Sequence, residues 1–270
     1  MRIVNLASGS RANSTFVSYG DTKILIDVGL TEKKLEKELN SIGESLKNIV
    51  GVLITHEHVD HIKSLPVLAK KYDIHFYLHE KLAKSLIEKG ECFKDGTLHL
   101  FSNSAFSVGD LEVQPSDVSH DAIAPVGFVV KVFGSSSEVG FVTDLGVVTE
   151  SVKRYLENVK MVFIESNYDE EMLAGGIYPK IVKERIAGRF GHLSNLQSLE
   201  LAKFLFEKGT RCFVLSHLSQ NNNAPEIAYT NYIDYFESQG LKQDQDVFVR
   251  VSFQDKHGNN FNLKEDFDGK

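Results

Sequence analysis

The stretch Thr55-His56-Glu57-His58-Val59-Asp60-His61 places three histidines and an aspartate within six residues, where an apolar run over residues 49–54 gives way to a helical pattern. In extended backbone, side chains two positions apart project to the same side, so His56 and His58 can chelate one ion. Asp60 and His61 stand at the helix entry, where the chain changes direction, and can address a second ion a few ångströms away. Imidazole nitrogen and carboxylate oxygen together suit a borderline cation such as zinc, and manganese and iron are chemically compatible. A lone histidine is more often structural than ligating. Four ligand-type residues at this spacing instead read as a metal site.

The flanking pattern places this stretch in a layered α/β fold. Short β-rich runs at residues 2–6, 15–19 and 23–27 open the chain, separated by Ser, Gly and Asn clusters that read as turns. A helix is expected over residues 32–42 and another from Ile62, with Ile62, Leu65, Leu68 and Tyr72 on one face and Pro66 tolerated only near the first turn. Strands are expected at 98–101, 111–115, 127–133 and 138–143. Helices and strands then alternate: a helix over 147–157, a strand at 161–165, helices at 181–187 and 196–208, a strand at 212–215 and a helix at 227–238. Two β-rich halves, each ending in β/α alternation, predict a four-layer αββα sandwich of two mixed sheets with helices outside. The apolar positions Leu196, Leu199, Ala202 and Phe206 are assigned to the core. No internal repeat or long linker divides the chain, so residues 1–263 are expected to form one domain, with 264–270 a fraying charged tail.

Composition narrows the class. The 270 residues carry 30 Lys and Arg against 37 Asp and Glu, a formal charge of −7, with 42% hydrophobic residues. A chain of this length buries a sizeable core, and disorder is excluded. The longest uncharged apolar stretches fall far short of the roughly 18 residues that span a bilayer. Residues 1–20 lack a basic region followed by an apolar one, so no signal peptide is read and a cytoplasmic location is expected. Cys92 and Cys212 lack metal-type spacing and suggest inert thiols in a reducing compartment. The acidic balance argues against nonspecific attraction to phosphate backbones, so any nucleic acid must be held locally. One basic stretch, Lys180, Lys183, Arg185 and Arg189 against Glu184, leads toward His192. It reads equally as a solvated helix face or as a substrate-facing one.

The pattern His56-x-His58-x-Asp60-His61 resembles the signature of the metallo-β-lactamase fold hydrolases. That resemblance implies a dinuclear site. His120, in Ser119-His120-Asp121, would complete the first metal's histidines, Asp144 would bridge both ions, and His217 would close the second site. Asp27, in Leu25-Ile26-Asp27-Val28-Gly29, matches an early aspartate implied to orient a metal-binding histidine. Glu165-Ser166-Asn167, followed by Gly191-His192-Leu193-Ser194-Asn195, is similar to the tRNase Z type phosphodiesterases. There, a strand-ending glutamate and a Gly-His helix start precede the last metal histidine in the same order. Ser8-Gly9-Ser10, Asn13-Ser14, His217-Leu218-Ser219, Asn222-Asn223 and Pro225-Glu226 extend the resemblance to the YycJ (WalJ) group. Ala12 departs from it, standing where that group has glycine.

These resemblances imply a phosphodiesterase holding two divalent ions, zinc or manganese with iron compatible, and within the YycJ group a 5′-to-3′ exonuclease on DNA. On physical grounds His192 precedes a helix start capped by Ser194 and Gln197, where unpaired N–H groups favour a phosphate. With Glu165 beside it, His192 is the candidate proton donor, and Asp60 joins these two as a catalytic candidate. A thioester or lactone hydrolase, or an RNA-directed nuclease, on the same fold is the alternative, as is a metal-dependent binding module without turnover. His75, His79, His99 and His257 stand alone and are assigned structural roles.

Overall fold

In the computed structural model, which describes residues 1–135, 138–254 and 257–263, fourteen strands form two seven-stranded mixed sheets. The strands are β1 (Arg2–Ala7), β2 (Ser14–Tyr19), β3 (Thr22–Ile26), β4 (Gly51–Leu53), β5 (His75–His79), β6 (Leu98–Phe101), β7 (Phe106–Val108), β8 (Leu111–Asp117), β9 (Val126–Val132), β10 (Glu138–Val142), β11 (Met161–Glu165), β12 (Cys212–Ser216), β13 (Phe248–Val251) and β14 (Asn260–Asn262). The first sheet runs β14-β1-β2-β3-β4-β5-β6 and the second β13-β12-β11-β10-β9-β8-β7. The helices are α1 (Glu32–Ser41), α2 (Val59–Ile62), α3 (Leu65–Lys71), α4 (Glu80–Glu88), α5 (Glu150–Leu156), α6 (Glu170–Gly175), α7 (Lys180–Ile186), α8 (Asn195–Glu207) and α9 (Pro225–Ser238).

Side-chain alternation along the strands builds three cores between four layers. On β3, Ile24 and Ile26 face the second sheet, where they join Phe128, Phe163 and Val214. Leu25 faces the other way, into a core with Leu35 of α1, Leu65 and Leu68 of α3, and Leu82 and Leu86 of α4. The second sheet's outer face, including Val162, Phe213 and Leu215, packs on Leu156 of α5, Leu205 of α8 and Tyr232 and Phe236 of α9. The αββα sandwich expected from the sequence is therefore the fold. Neither cysteine is in a disulfide; Cys92 is exposed and Cys212 buried.

Several local expectations give way. The single helix expected from Ile62 is two, α2 and α3, and Pro66 falls in the first turn of α3, where its missing N–H leaves no intrahelical bond unmade. The core stripe on α8 is rotated: Leu196 is 51% exposed, while Asn195, Ser198, Leu199, Leu201, Ala202 and Leu205 are buried. Asn195 is turned inward because its amide joins Ser166 Oγ and Asn223, which aims its neighbour Leu196 outward. The sequence His75-Phe76-Tyr77-Leu78-His79 is β5, and α4 follows with no Gly, Pro or Asn between them. His79 Nδ1 itself caps the helix by accepting from the Lys81 N–H. The expected fraying at 264–270 lies outside the described residues. Among the described residues, no helix is long and apolar enough to cross a membrane.

Candidate metal centre

Strands β3 and β4 run parallel, as do β10, β11 and β12, and β8 shares the direction of β10 because both are antiparallel to β9. The chain therefore leaves these six strands along one rim of the sandwich, and the residues just past their ends meet there. Asp27 follows β3, Thr55 and His56 follow β4, His120 follows β8, Asp144 follows β10, and His217 follows β12, while Glu165 is the last residue of β11. Asp27, Asp144 and His217 have φ of 60°, 57° and 58°, left-handed backbone that is costly for a side chain and persists where the surroundings impose it. Gly29 makes room for the loop carrying Asp60, since a Cβ there would lie 1.6 Å from the Asp60 carbonyl oxygen.

Every metal candidate of the sequence converges on this rim. Ligand atoms of His56, His58 and His120 lie within 4.8 Å of one another, as do those of Asp60, His61 and His217, and those of His56, His61 and Asp144. Nδ1 of His58 and Nε2 of His120 are 3.3 Å apart, the separation expected of two nitrogens each roughly 2.0–2.1 Å from one tetrahedral ion. Asp144 stands between the two groups, 3.3 Å from His61 Nε2, 3.7 Å from His120 Nε2 and 3.5 Å from His217 Nε2. His56 Nε2, His217 Nε2 and Asp144 Oδ2 are buried with no hydrogen-bond partner among the described residues. Buried polar atoms of this kind are costly unless satisfied, and a divalent cation would satisfy all three. The residues present therefore fit divalent metal.

The supporting contacts fix ring orientation. Asp27 Oδ2 lies 2.7 Å from His61 Nδ1 and accepts from Thr55 Oγ1 at 2.8 Å, while Oδ1 accepts from the Thr55 N–H at 2.9 Å. This holds the His61 ring with Nε2 toward Asp60 and Asp144. Glu165, fully buried, has Oε1 2.8 Å from Nδ1 of both His192 and His217, and Oε2 accepts from the N–H groups of Leu145 at 2.7 Å and Leu193 at 3.2 Å. The sequence links Glu165 to His192 but gives no sign of its bond to His217, which follows from the parallel register pairing Glu165 with Ser216. Asn13, Glu57 and Asn167 also carry unforeseen roles. Asn13 donates to Asp60 Oδ2 at 3.1 Å, Glu57 accepts from the Ile123 N–H at 3.0 Å and so ties down the loop bearing His120, and Asn167 donates to the His217 carbonyl at 2.8 Å. For Asn13, its place in the Asn13-Ser14 motif was the available signal.

Electrostatics follow from this packing. Burial pushes His56 well below the ordinary imidazole range, reinforced by the rings of His61, His120, His58 and His217. Burial also lowers His120, against the pull of Asp144. For His61, burial opposes the charged form, yet Asp144, Asp27 and Asp60 together raise it to about 9. His217 is raised well above its ordinary value on the same balance, burial being outweighed by Asp144, Asp60 and Glu165. Burial alone would raise the carboxyls of Asp60, Asp144 and Glu165, but the facing rings hold all three below the usual carboxylate range. Protons on His61 and His217 thus offset buried carboxylates, a task that a divalent cation performs with more charge at the same place.

The centre opens into a cleft of about 320 Å³ lined by Ser10, Asp60, Asp121, Val182, Arg185 and Ile186 together with His58, His120, Asp144, His192 and His217. The basic stretch divides on this wall. Arg185 faces the cleft and pairs with Asp121, Lys180 pairs with Glu184 at 3.6 Å on the solvent side, and Lys183 donates to the Ala174 carbonyl at 2.6 Å. The four histidines assigned structural roles lie elsewhere: His75 and His99 contact one another at 2.7 Å, His79 caps α4, and His257 contacts Glu38 at 3.2 Å.

Residues 22–218 match the family described as the Beta-lactamase superfamily domain. The exodeoxyribonuclease YycJ of Bacillus anthracis is 33% identical over 237 residues, spanning 87% of this chain and 89% of that protein. The exodeoxyribonuclease WalJ of Streptococcus pneumoniae is 33% identical over 232 residues, 85% and 86% of the two chains. The solved structure of zinc-bound PqqB from Methylobacterium extorquens superposes with a TM-score of 0.70 at 18% identity over 97% of this chain and all of that one. Human tRNase Z, short form, superposes with 0.64 at 16% identity over 96% and 99%. With two mixed sheets between helical layers and a His/Asp cluster at their common rim, the chain belongs to the metallo-β-lactamase superfamily of hydrolases, in the family of the YycJ and WalJ proteins.

Proposed function

We propose that the protein is a dinuclear metal-dependent phosphodiesterase acting as a 5′-to-3′ exonuclease on DNA, its residues 1–263 forming one catalytic domain in the cytoplasm. His56, His58 and His120 would hold one ion and Asp60, His61 and His217 the other, with Asp144 placed between the two groups; zinc or manganese would suit the donors, and iron is compatible. Divalent ions supply there an acidified water near neutral pH and neutralisation of a phosphodiester's charge. The chain supplies the rest. Arg185 lends positive charge to the wall along which a phosphate backbone enters. His192, held through Nδ1 by Glu165, keeps Nε2 for the substrate, and the buried carboxylate stabilises the imidazolium that delivers a proton to the departing oxygen.

The single observation carrying this reading is the Glu165–His192 pair, 2.8 Å apart and opening on the same cleft as the metal residues. A phosphodiester's alkoxide leaving group needs a proton donor, whereas a thioester's thiolate leaves without one. The names of the YycJ and WalJ relatives point to the same substrate. Metal-loaded enzyme is tested with end-labelled single- and double-stranded DNA and RNA, following product lengths with time, beside a thioester and a lactone. Stepwise loss of nucleotides from the 5′ end of DNA, abolished by chelator, is expected. Turnover of the thioester or lactone alone would overturn the proposal.

A further inference from the structure

We propose that Phe190 is a stacking platform that takes the base of an unpaired nucleotide entering the metal cleft, an inference that rests on the nuclease reading and specifies the form of its substrate. The ring is 58% exposed, although sinking a phenylalanine into a core is worth roughly 1.5–3 kcal/mol. A solitary exposed ring has no meaning by itself. The backbone beneath this one does. The Phe190 carbonyl accepts from the Asp121 N–H at 3.1 Å and the Arg189 carbonyl accepts from Ser119 Oγ at 2.7 Å. The N–H groups of Gly191 and His192 donate to Gly188 and Ile186 at 2.9 and 2.8 Å.

Two glycines allow this close packing. A Cβ at Gly146 would lie 2.2 Å from the Arg189 carbonyl oxygen, and one at Gly191 would lie 2.1 Å from that of Ile186. The segment is thus pinned against the loops carrying His120 and Asp144, while the ring it carries is left in water. Gly191 and His192, the next two residues, already line the cleft. Arg189 sits over the ring with its guanidinium 6.0 Å from the centroid, and Arg185 faces the cleft nearby. An exposed aromatic ring on a pinned backbone beside cations, one residue from the lining of the proposed phosphate-cleaving centre, is an arrangement suited to holding single-stranded nucleic acid. Stacking accepts every base, as an enzyme that advances one nucleotide at a time requires. A base locked in a duplex reaches the ring only after unpairing, so single-stranded or frayed ends are the favoured substrate.

The test compares wild-type, Phe190→Ala and Phe190→Trp enzymes, all metal-loaded. The substrates are two single-stranded oligonucleotides of equal length, one with bases throughout and one with tetrahydrofuran residues at its terminal positions, and the small diester methyl p-nitrophenyl phosphate. The wild type should favour the base-bearing strand in kcat/KM by roughly five- to one-hundred-fold, the usual range for one stacked base. Phe190→Ala should lose that preference by slowing on the base-bearing strand alone, Phe190→Trp should keep it, and all three should hydrolyse the small diester equally. A wild type indifferent to the missing bases, or an alanine variant that retains the preference, would overturn the platform while leaving the nuclease reading intact. A wild type that cleaves the small diester and neither oligonucleotide would overturn both.

Discussion

Glu165 accepts four hydrogen bonds with two oxygens, two from histidine rings and two from backbone N–H groups, which makes it the residue on which proton delivery and metal geometry would meet in the proposed mechanism. His192→Ala should therefore keep the metals and substrate affinity but slow DNA cleavage by roughly 10²–10⁴-fold, the worth of a positioned proton donor. The loss should shrink on a nitrophenolate ester, whose leaving group needs little protonation; equal losses on both substrates would assign His192 to phosphate positioning. Glu165→Gln should show a milder kinetic defect and weaker metal retention as well, since His217 loses its carboxylate partner. Asp60→Ala and His61→Ala should each reduce bound metal from two ions toward one and abolish hydrolysis, with the fold retained by circular dichroism. Full activity with one ion per chain would exclude two-metal catalysis. Four of the candidate ligands were legible because Thr55 to His61 concentrates them in one short stretch, whereas His120, Asp144 and His217 stand singly at strand ends and were legible only through the family resemblance. The partners of Glu165 were not, because they depend on which strands lie side by side.

The segment α7 shows what charge counting leaves open. Its three basic residues, with Arg189 just beyond it, were equally readable as a solvated face or a substrate-facing one, and the structure divides them between the cleft and the solvent. Arg185 turns to the cleft, whereas Lys180 spends its charge on Glu184 at the surface. Arg185→Ala should weaken DNA binding and reduce the slope of log affinity against log salt by about one, the signature of a lost phosphate contact, and Lys180→Ala should leave the slope unchanged. Equal slopes for wild type and Arg185→Ala would show that Arg185 only holds Asp121. Long helices with caps, such as α8 with Ser194 and Gln197, were readable within a residue or so. The strand β5 was not, because it passes into α4 without a turn residue, and β13 and β14 are short edge strands placed by pairing with distant partners.

The candidate metal centre draws on both sheets, since His56, His58, Asp60 and His61 come from the first while His120, Asp144 and His217 come from the second. Ions bound there cross-link the sandwich at its rim, and their removal by chelator should lower Tm, because a ligand that binds only the folded chain adds to its stability. The pH dependence of the stripped protein supplies a sharper test. The raised value of His61, about 9 against 6.5, means the folded chain holds that proton more tightly than the unfolded chain. This contribution is complete below pH 6.5 and disappears as pH rises through 9, and His217, also raised, acts with the same sign. The shift at His61 corresponds to stabilisation on the order of 3 kcal/mol. Stripped protein should thus lose unfolding free energy between pH 6.5 and 9.5 in urea titrations. Metal-loaded protein, in which cations replace those protons, should hold or gain stability over the same interval. Parallel curves for the two forms would mean that protons and metal do not compete for these side chains, and would count against His61 and His217 as ligands.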